Sequence, residues 1–244
     1  MRKGFDEQAA VYDSLAHVQA DVARRLAARL GGGPKRILEI GCGTGLLSEL
    51  LAARFPEAAL VLTDLSPQML AQAEMRLGER AMYRVMDGQW PDESLGRFDL
   101  IVSSLAFQWF DDLGGALARL GGMLAPHGVL AFATLGSRSF TEWRQAHEEM
   151  GLDCGLRDYA ASESFPWPMG YACRFEVEFI EERHADGRGF IRGMKELGAA
   201  ISPPAHRPLG AGRFRALLAR FSSGFTARYE VIYAEMRRGS RSVP

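Results

Sequence analysis

The residues best suited to chemistry form a short glycine-rich run, and an acidic residue follows it. The run at 36–45 reads R-I-L-E-I-G-C-G-T-G, and Asp64 lies 21 residues after Gly43. Glycines let backbone N–H groups approach a ligand closely, and a carboxylate at the tip of the next strand can accept hydrogen bonds from both hydroxyls of a ribose. The pattern therefore predicts a nucleoside site at the carboxyl edge of an α/β sheet.

The spacing of the glycines separates two classes of nucleoside-binding fold. A dinucleotide-binding fold requires G-x-G-x-x-G, but here Gly45 follows Gly43 after a single residue. In addition, Glu39 stands two residues before Gly41. The pattern E-x-G-x-G-x-G resembles motif I of class I methyltransferases. That resemblance implies S-adenosyl-L-methionine as cofactor, S-adenosyl-L-homocysteine as product, and cofactor contacts from these four residues and Asp64. A glycine-rich turn without a ligand is the alternative.

The elements around this run alternate in a way that is typical of a parallel sheet. Apolar residues recur every four positions from Val18 to Leu30, which predicts a helix over 5–30. From residue 35 to residue 135 apolar runs alternate with helical patterns, so we expect parallel strands joined by crossover helices. The predicted strands are 37–40, 60–64, 82–86, 98–104 and 129–135, the predicted helices are 46–54, 67–77 and 113–124, and 125–128 is a predicted turn.

Beyond residue 136 the pattern changes. We expect helices at 139–150, 190–197 and 213–221, strands at 174–184 and 226–236, an irregular aromatic stretch at 153–172, and a proline-rich loop at 202–208. The chain is thus predicted to be a single α/β domain with a doubly wound, seven-stranded, mostly parallel sheet, Rossmann-like as in class I methyltransferases. A helical cap is expected at about 136–172 after the fifth strand, and a substrate-facing helical segment at about 187–222.

The composition narrows the possible functions. With 244 residues and a net charge of −1, the chain has no global positive field that would attract nucleic acid or a membrane surface. It has no long apolar run, so we expect neither a membrane span nor a signal peptide. Three cysteines without metal-ligand spacing indicate reduced thiols. We therefore expect a cytoplasmic protein without a bound metal, and we also expect a monomer.

Residues after the second and third strands are candidates for holding an adenine ring. The Asp87 carboxylate can accept from the adenine amino group, with the Gly88 N–H beside a ring nitrogen, although a surface acid is a common alternative. Leu65 and Met69 follow the second strand and can form the other wall of the adenine site; a core position is the alternative for Met69. Trp90 is either a stacking partner or a core residue.

The residues after the fourth strand are candidates for the reacting end of the site. Backbone carbonyls of Ser104 and Leu105 can hold the ammonium group of the cofactor. The aromatic-rich stretch F-Q-W-F at 107–110 suits a positively charged sulfonium through cation–π attraction, with ordinary core packing as the alternative.

Segments outside the core resemble one methyltransferase family in particular. F-D-E-Q-A-A-V-Y-D at 5–13 with H-V-Q at 17–19, S-L-A-F-Q-W at 104–109, F-I-R-G-M-K-E-L-G-A at 190–199 and Y-E-V-I-Y at 229–233 are similar to segments of malonyl-[acyl-carrier-protein] O-methyltransferases. The stretch M-D-G-Q-W at 86–90 and the loop S-P-P at 202–204 depart from the family pattern.

The resemblance implies methyl transfer to the free carboxylate of a malonyl unit on acyl carrier protein, an early step of biotin biosynthesis. A malonyl carboxylate is ionised at pH 7, so the reaction needs alignment and exclusion of water rather than a general base. A desolvated carboxylate needs hydrogen-bond donors. By resemblance and residue type, Tyr12 and Gln108 are the candidate catalytic residues, and the candidate substrate contacts are His17, Trp109, Arg144, Lys195 and Arg207.

The carboxyl-terminal segment carries a local excess of positive charge. Residues 183–220 contain eight Lys and Arg residues but only two acids. Carrier proteins are acidic, so this segment is a candidate docking surface, and a solvated helix face is the alternative. Two other functions stay open: methylation of a small free acid such as trans-aconitate, and S-adenosylmethionine binding without turnover.

Overall fold

Seven strands form one mixed sheet in the computed structural model, which describes residues 5, 6, 9, 12–198 and 206–238. The strands are β1 (Arg36–Ile40), β2 (Ala59–Asp64), β3 (Ala81–Val85), β4 (Phe98–Ser104), β5 (Leu124–Leu135), β6 (Tyr171–His184) and β7 (Phe225–Arg238). Their order is β3-β2-β1-β4-β5-β7-β6. Strands β1 to β5 pair in parallel, whereas β7 is antiparallel to both of its neighbours. The predicted α/β fold with a mostly parallel sheet is confirmed.

Helices cover the sheet on both faces. The described helices are α1 (Tyr12–Leu15), α2 (His17–Arg29), α3 (Leu46–Arg54), α4 (Pro67–Leu77), α5 (Leu113–Gly122), α6 (Thr141–Glu149), α7 (Gly187–Glu196) and α8 (Ala211–Ala219). Neighbouring residues of β1 enter different cores, because Ile37 packs with the helix residues Val22 and Leu51. Leu38 packs on the other face with Leu117 of α5. This two-sided burial explains why the strands read as continuous apolar runs.

The strands β6 and β7 continue past the carboxyl edge of the parallel strands. Leu135, at the end of β5, pairs with Val231, whereas β7 begins at Phe225 opposite His184 of β6. At the usual rise per residue, this two-stranded ribbon projects roughly 20 Å beyond β5. Helices α7 and α8 connect its two strands, so they lie at the same edge of the sheet as the predicted nucleoside site.

The structure differs from the sequence-based expectations in two elements. The single helix expected over 5–30 is interrupted at Ala16, whose dihedrals (φ −84°, ψ 42°) depart from helical values, so α1 and α2 are separate. The turn expected at 125–128 is included in β5, with a register shift against β4 between Phe98 and Leu100. The stretch at 153–172 is irregular except for a 3₁₀ turn at Ser162–Ser164 and the start of β6. The loop positions 202–205 lie outside the described residues.

Among the described helices, none is both long and apolar enough to cross a lipid bilayer.

Candidate active site

A cleft opens at the carboxyl ends of β1, β2 and β4, where the sequence predicts the nucleoside site. It contains about 950 Å³ of space, part of which is open to solvent. Ligands of open α/β sheets bind at this edge because the strand ends and the loops that follow them converge there. Its lining includes these predicted site residues: Tyr12, Glu39, Gly41, Gly43, Asp64, Leu65, Met69, Asp87, Gly88, Ser104, Leu105 and Trp109.

The three glycines after β1 have different reasons to be glycine. Gly41 has a φ of +67°, and a Cβ there would lie 2.4 Å from Cβ of Ala106. Gly43 has a φ of +55° and no neighbour within 4 Å, so the backbone there borders open space of the cleft. Gly45 does not line the cleft, because its Cα faces α4, where a Cβ would meet Cα of Ala73 at 3.3 Å. It therefore allows the close approach of helix α4.

Asp64 at the end of β2 holds the glycine loop in place. Its Oδ2 accepts from the Gly43 N–H at 2.9 Å, and its Oδ1 accepts from the Ser66 N–H at 2.8 Å. Burial raises the pKa of this carboxyl, and the backbone N–H donors oppose that shift. Each carboxylate oxygen has a second lone pair, so the group can still accept hydrogen bonds from a ribose.

Glu39 links the end of β1 to helix α3, which follows the glycine loop. Its carboxylate is buried at 1% exposure, and it accepts a hydrogen bond from Ser48 Oγ at 2.6 Å. Burial raises the pKa of Glu39 to about 8. A large part of the Glu39 population therefore carries a proton at neutral pH, which avoids burying a full charge beside Asp64.

The predicted adenine side of the cleft is narrow. A Cβ at Gly88 would lie 2.3 Å from the Ile40 side chain and 2.8 Å from the Phe110 ring, so a side chain cannot be accommodated there. Asp87 lines the cleft and accepts from the Gln89 N–H at 2.9 Å. Trp90 does not line it: the ring is 65% exposed, with the Arg119 guanidinium 3.9 Å above its centre. Phe110, by contrast, lines the cleft together with Trp109.

The loop after β4 is held in an unusual conformation. Leu105 has a φ of +53°, in a region that costs a non-glycine residue about 1 kcal/mol or more. Its N–H donates to the Ala133 carbonyl at 2.8 Å, and its carbonyl accepts from Gln108 Nε2 at 2.5 Å. Thr134 Oγ1 donates to Gln108 Oε1 at 3.2 Å. Gln108 thus braces this loop and does not itself line the cleft.

The amino-terminal segment closes over the cleft through contacts with three different elements. We call its contacting residues Phe5, Asp6, Tyr12 and Asp13 the amino-terminal latch. The Phe5 ring packs edge-on against Trp109 at 5.6 Å, and Asp6 accepts from the Ser66 hydroxyl.

The second part of the latch joins α1 to the glycine loop and to α4. The Asp13 carboxylate accepts from the Thr44 hydroxyl and forms an ion pair with Arg76. Arg76 also donates to the Thr44 carbonyl at 3.0 Å. These contacts therefore couple the position of the glycine loop to that of α1.

Tyr12 enters the cleft from α1 and stays protonated. Burial and the nearby carboxylates of Asp64 and Asp13 raise the pKa of its phenol above its ordinary value. Its hydroxyl can donate a hydrogen bond to a bound anion at physiological pH. The same shift makes it unsuitable as a general base.

Gln19 is a cleft residue that the sequence analysis did not single out. It lines the cleft from α2, on the same helix face as Ala23, and its Oε1 is buried with no hydrogen-bond partner among the described residues. An unpaired buried amide oxygen costs about 1–3 kcal/mol. A ligand with a polar end would satisfy this amide. In the sequence, Gln19 belongs to the H-V-Q segment at 17–19 that resembles the family. It also lies two helical turns after Tyr12, but the break between α1 and α2 obscures this spacing.

The other predicted substrate residues lie outside the cleft lining. Arg144 donates to the Arg157 carbonyl at 2.6 Å and to the Ser139 carbonyl at 3.2 Å, so it ties α6 to the irregular stretch. His17 borders a separate cavity between α1 and α7. Lys195 and Arg207 are exposed. Roles of these four residues in substrate binding stay predictions.

The cleft residues fit an adenosine-bearing cation. A carboxylate stands where the ribose would lie, Leu65 and Met69 offer apolar walls, and the lining includes the aromatic rings of Trp109 and Phe110. The unpaired Gln19 Oε1 could accept a hydrogen bond from a polar group of a ligand. No group of three or more His, Cys, Asp or Glu suited to a metal ion occurs within residues 12–198 and 206–238 or the few described residues before them.

Comparison with known proteins identifies the family. A family model described as a methyltransferase domain matches residues 38–130. A malonyl-[acyl-carrier protein] O-methyltransferase of Magnetococcus marinus is 40% identical over 234 residues, covering 91% of this chain and 86% of that protein. The chain belongs to the malonyl-[acyl-carrier protein] O-methyltransferase family. A second member of this family, from Geobacter sulfurreducens, is 34% identical, with 98% of both proteins covered.

The chain is also similar to part of a longer protein. The biotin biosynthesis bifunctional protein BioCD of Bordetella avium is 40% identical over 241 residues, and the chain spans 52% of its length. The family that the motifs at 104–109 and 229–233 resemble is thereby confirmed.

Solved structures bear out the fold at low sequence identity. The N-methyltransferase NodS of Bradyrhizobium japonicum, solved with S-adenosyl-L-homocysteine, matches with a TM-score of 0.56 at 16% identity, covering 98% of both chains. A chain of the complex between the Haloferax volcanii Trm112 methyltransferase activator and a methyltransferase matches with a TM-score of 0.60 at 16% identity, covering 100% of this chain and 99% of that one. This family member therefore has the class I methyltransferase fold.

Proposed function

We propose that this protein transfers a methyl group from S-adenosylmethionine to the free carboxylate of a malonyl unit carried by acyl carrier protein. The observation that carries the proposal is the 40% identity, over most of both chains, to a protein named for that reaction. The cleft supports it because the residues expected around an adenosine and a sulfonium converge there. The product would be a malonyl methyl ester, made for biotin biosynthesis in the cytoplasm.

Residues of the cleft can be assigned to parts of the cofactor. Asp64 would accept from the ribose hydroxyls, Asp87 and Gly88 would contact the adenine edge, and Leu65 and Met69 would pack on its faces. When bound, S-adenosylmethionine would supply an electrophilic methyl group, and its sulfur would take the electron pair of the broken S–C bond as the carboxylate oxygen forms the new C–O bond. The chain would supply alignment around this displacement.

The protein residues would prepare the acceptor without moving a proton. A carboxylate is already ionised at neutral pH, so no base is required. The protonated Tyr12 hydroxyl would donate to it. Trp109 and the amino-terminal latch would exclude water, which makes the oxygen a stronger nucleophile.

Gln108 would have a positioning role in this reaction. It braces the Leu105 carbonyl. The carbonyls after β4 would then face the cofactor ammonium at a fixed position.

The direct test is methyl transfer from labelled S-adenosylmethionine to several acceptors. Malonyl-carrier protein, malonyl-pantetheine and free trans-aconitate are compared at equal concentration. We expect base-labile methyl ester on the malonyl thioesters, because only a methyl ester releases labelled methanol in alkali. Turnover of trans-aconitate alone would overturn the substrate proposal while leaving the cofactor site intact.

A further inference from the structure

The two helices between β6 and β7 carry exposed cations that have no carboxylate partner. On α7 these are Arg188, Arg192 and Lys195, which are spaced four and three residues apart and so share one helix face. On α8 they are Arg213 and Arg215. In the described part of the chain, none of these five side chains forms an ion pair. We call them the cationic surface.

Several other arginines of the described chain are paired with carboxylates, and others, such as Arg80, donate to backbone carbonyls. Arg25 pairs with Asp21 and Glu178, and Arg174 pairs with Glu235. The stretch 199–205, which joins the two helices and lies outside the described residues, contains no acidic residue in its sequence. Among the described residues, the positive charge of the cationic surface is therefore not neutralised by ion pairs, although the whole chain has a net charge of −1.

The position of these helices favours a role in presenting the acceptor. Both lie at the end of the ribbon that projects past β5, at the same edge as the cleft. Helix α7 contacts α1, which carries Tyr12 of the latch. A partner bound to the cationic surface would therefore sit beside the cleft opening.

An apolar ring lies within the positive charge. Phe214 is 37% exposed between Arg213 and Arg215, whereas Leu217 and Leu218 of the same helix are buried. An exposed aromatic residue flanked by arginines is the composition of an interface anchor rather than of a solvated helix face.

We propose that the cationic surface, with Phe214 as its anchor, docks the acidic carrier protein that presents the malonyl thioester. This inference rests on the proposed function. Charge complementarity would raise the encounter rate at this edge of the molecule. The local nature of the charge favours a compact acidic protein over nucleic acid or a membrane, since a near-neutral chain has no extended positive face to follow a polyanion.

The test compares two acceptors that share the reacting group but differ in the carrier. Malonyl-carrier protein offers the docking partner, whereas malonyl-pantetheine offers only the thioester arm and carries no phosphate. For R213E/R215E we expect kcat/KM to fall about tenfold or more with the carrier protein and to change less than about twofold with malonyl-pantetheine. Added salt should lower the wild-type rate with the carrier protein towards that of the variant.

Two further variants test whether the position of the charge matters and whether the apolar contact of Phe214 contributes to docking. K35E/R97E makes the same change of charge at the opposite edge, near the amino ends of β1 and β4, where both side chains are exposed. It should leave both acceptors within about twofold of the wild-type kcat/KM. F214A should raise KM for the carrier protein severalfold, with little dependence on salt.

The outcomes distinguish failure of the docking surface from failure of the proposed function. A wild-type protein that methylates neither thioester overturns the proposed function. Equal effects of R213E/R215E on both acceptors, or no effect on either, overturn the docking surface alone. A third result would also overturn the docking surface. In that result the wild type binds duplex DNA or anionic vesicles, R213E/R215E abolishes this binding, and the kinetics with the carrier protein stay unchanged.

Discussion

Asp64 combines two tasks in one carboxylate, since it shapes the glycine loop and, as we propose, binds the ribose. Asp64→Ala should therefore weaken S-adenosylmethionine binding about tenfold or more, a loss of at least about 1.4 kcal/mol. Titration calorimetry measures it, and the urea midpoint without ligand shows whether the variant stays folded. Near-normal affinity in a folded variant would remove Asp64 from the ribose site.

Glu39 makes stability depend on pH. Between pH 4.5 and about 8 the folded protein keeps a proton that an unfolded chain has released, so its stability falls as pH rises through this range. Glu39→Gln removes the titration, and from pH 6 to pH 8 the wild type should lose about 2 kcal/mol more than the variant.

Urea unfolding at both pH values measures this difference. Glu57→Gln, at an exposed site, is the matched control and should behave like the wild type. Parallel pH dependence of the wild type and the Glu39 variant would contradict the raised pKa.

Gln19 should show effects of opposite sign on stability and on binding. Gln19→Met keeps the shape of the side chain but removes the orphaned amide, so the free protein should be as stable as the wild type or about 1 kcal/mol more stable. Cofactor affinity should fall about fivefold or more. Thermal unfolding and calorimetry on the same sample measure the two effects, and unchanged affinity would mean that no ligand uses this amide.

For single residues, prediction from the sequence is reliable where a pattern of residues occurs in few kinds of structure. The spacing of Gly41 and Gly43 before Asp64 predicts the cleft because few other structures need that pattern. Gln19 could not be identified in this way, since an amide on a helix is common and only its tertiary neighbours leave it unpaired. Trp90 shows the reverse case, because an aromatic residue near a site can pack outside it.

Among the elements, α1 carries Tyr12 and Asp13 of the amino-terminal latch, so we expect its contacts to affect the exchange of cofactor. Asp13→Asn removes the charge that pairs with Arg76 while keeping the size of the side chain. The pair is partly exposed, so we expect a loss of about 1 kcal/mol or less and release of cofactor about two- to fivefold faster.

Stopped-flow fluorescence measures the release rate of the cofactor from this variant. Asp21→Asn on α2 breaks ion pairs with Arg24 and Arg25 away from the cleft, so it serves as the control. Equal release from both variants would mean that the latch does not limit exit.

Element boundaries followed the sequence closely where local signals were strong. The helix from Pro67 to Leu77 begins after Ser66, whose hydroxyl accepts from the Met69 N–H at 3.1 Å, as its residue types predict. The break at Ala16 could not be predicted, because alanine favours helix and no glycine or proline interrupts residues 5–30. There the tertiary contacts of α1 with the cleft and α7 override local preference.

For the whole molecule, one continuous sheet predicts one unfolding unit. Cofactor at a hundred times its dissociation constant adds about 2.7 kcal/mol, which should raise the melting temperature by roughly 5–10 °C in a single transition. Differential scanning calorimetry tests this. Two transitions, of which only one shifts, would mean that the ribbon of β6 and β7 unfolds on its own.

The overall fold was predictable because strands and helices alternate regularly from β1 to β5. The excess of positive charge in the carboxyl-terminal segment could be counted in the sequence. Which of these charges are neutralised could not be predicted, because ion pairs form between residues far apart in the chain. Arg25 and Glu178, for example, are 153 positions apart. Only the folded molecule separates neutralised arginines from free ones.

The place of β7 has a consequence for how this protein is made. It is the last of the described strands in the sequence, yet it lies between β5 and β6. During synthesis, β6 therefore emerges before β7, its pairing partner among the described strands, and β5 keeps an open edge until β7 has emerged. The alternating Phe175, Val177 and Phe179 of β6 then stand on an unpaired strand, which makes this interval the one in which a chaperone or a wrong partner would find the protein.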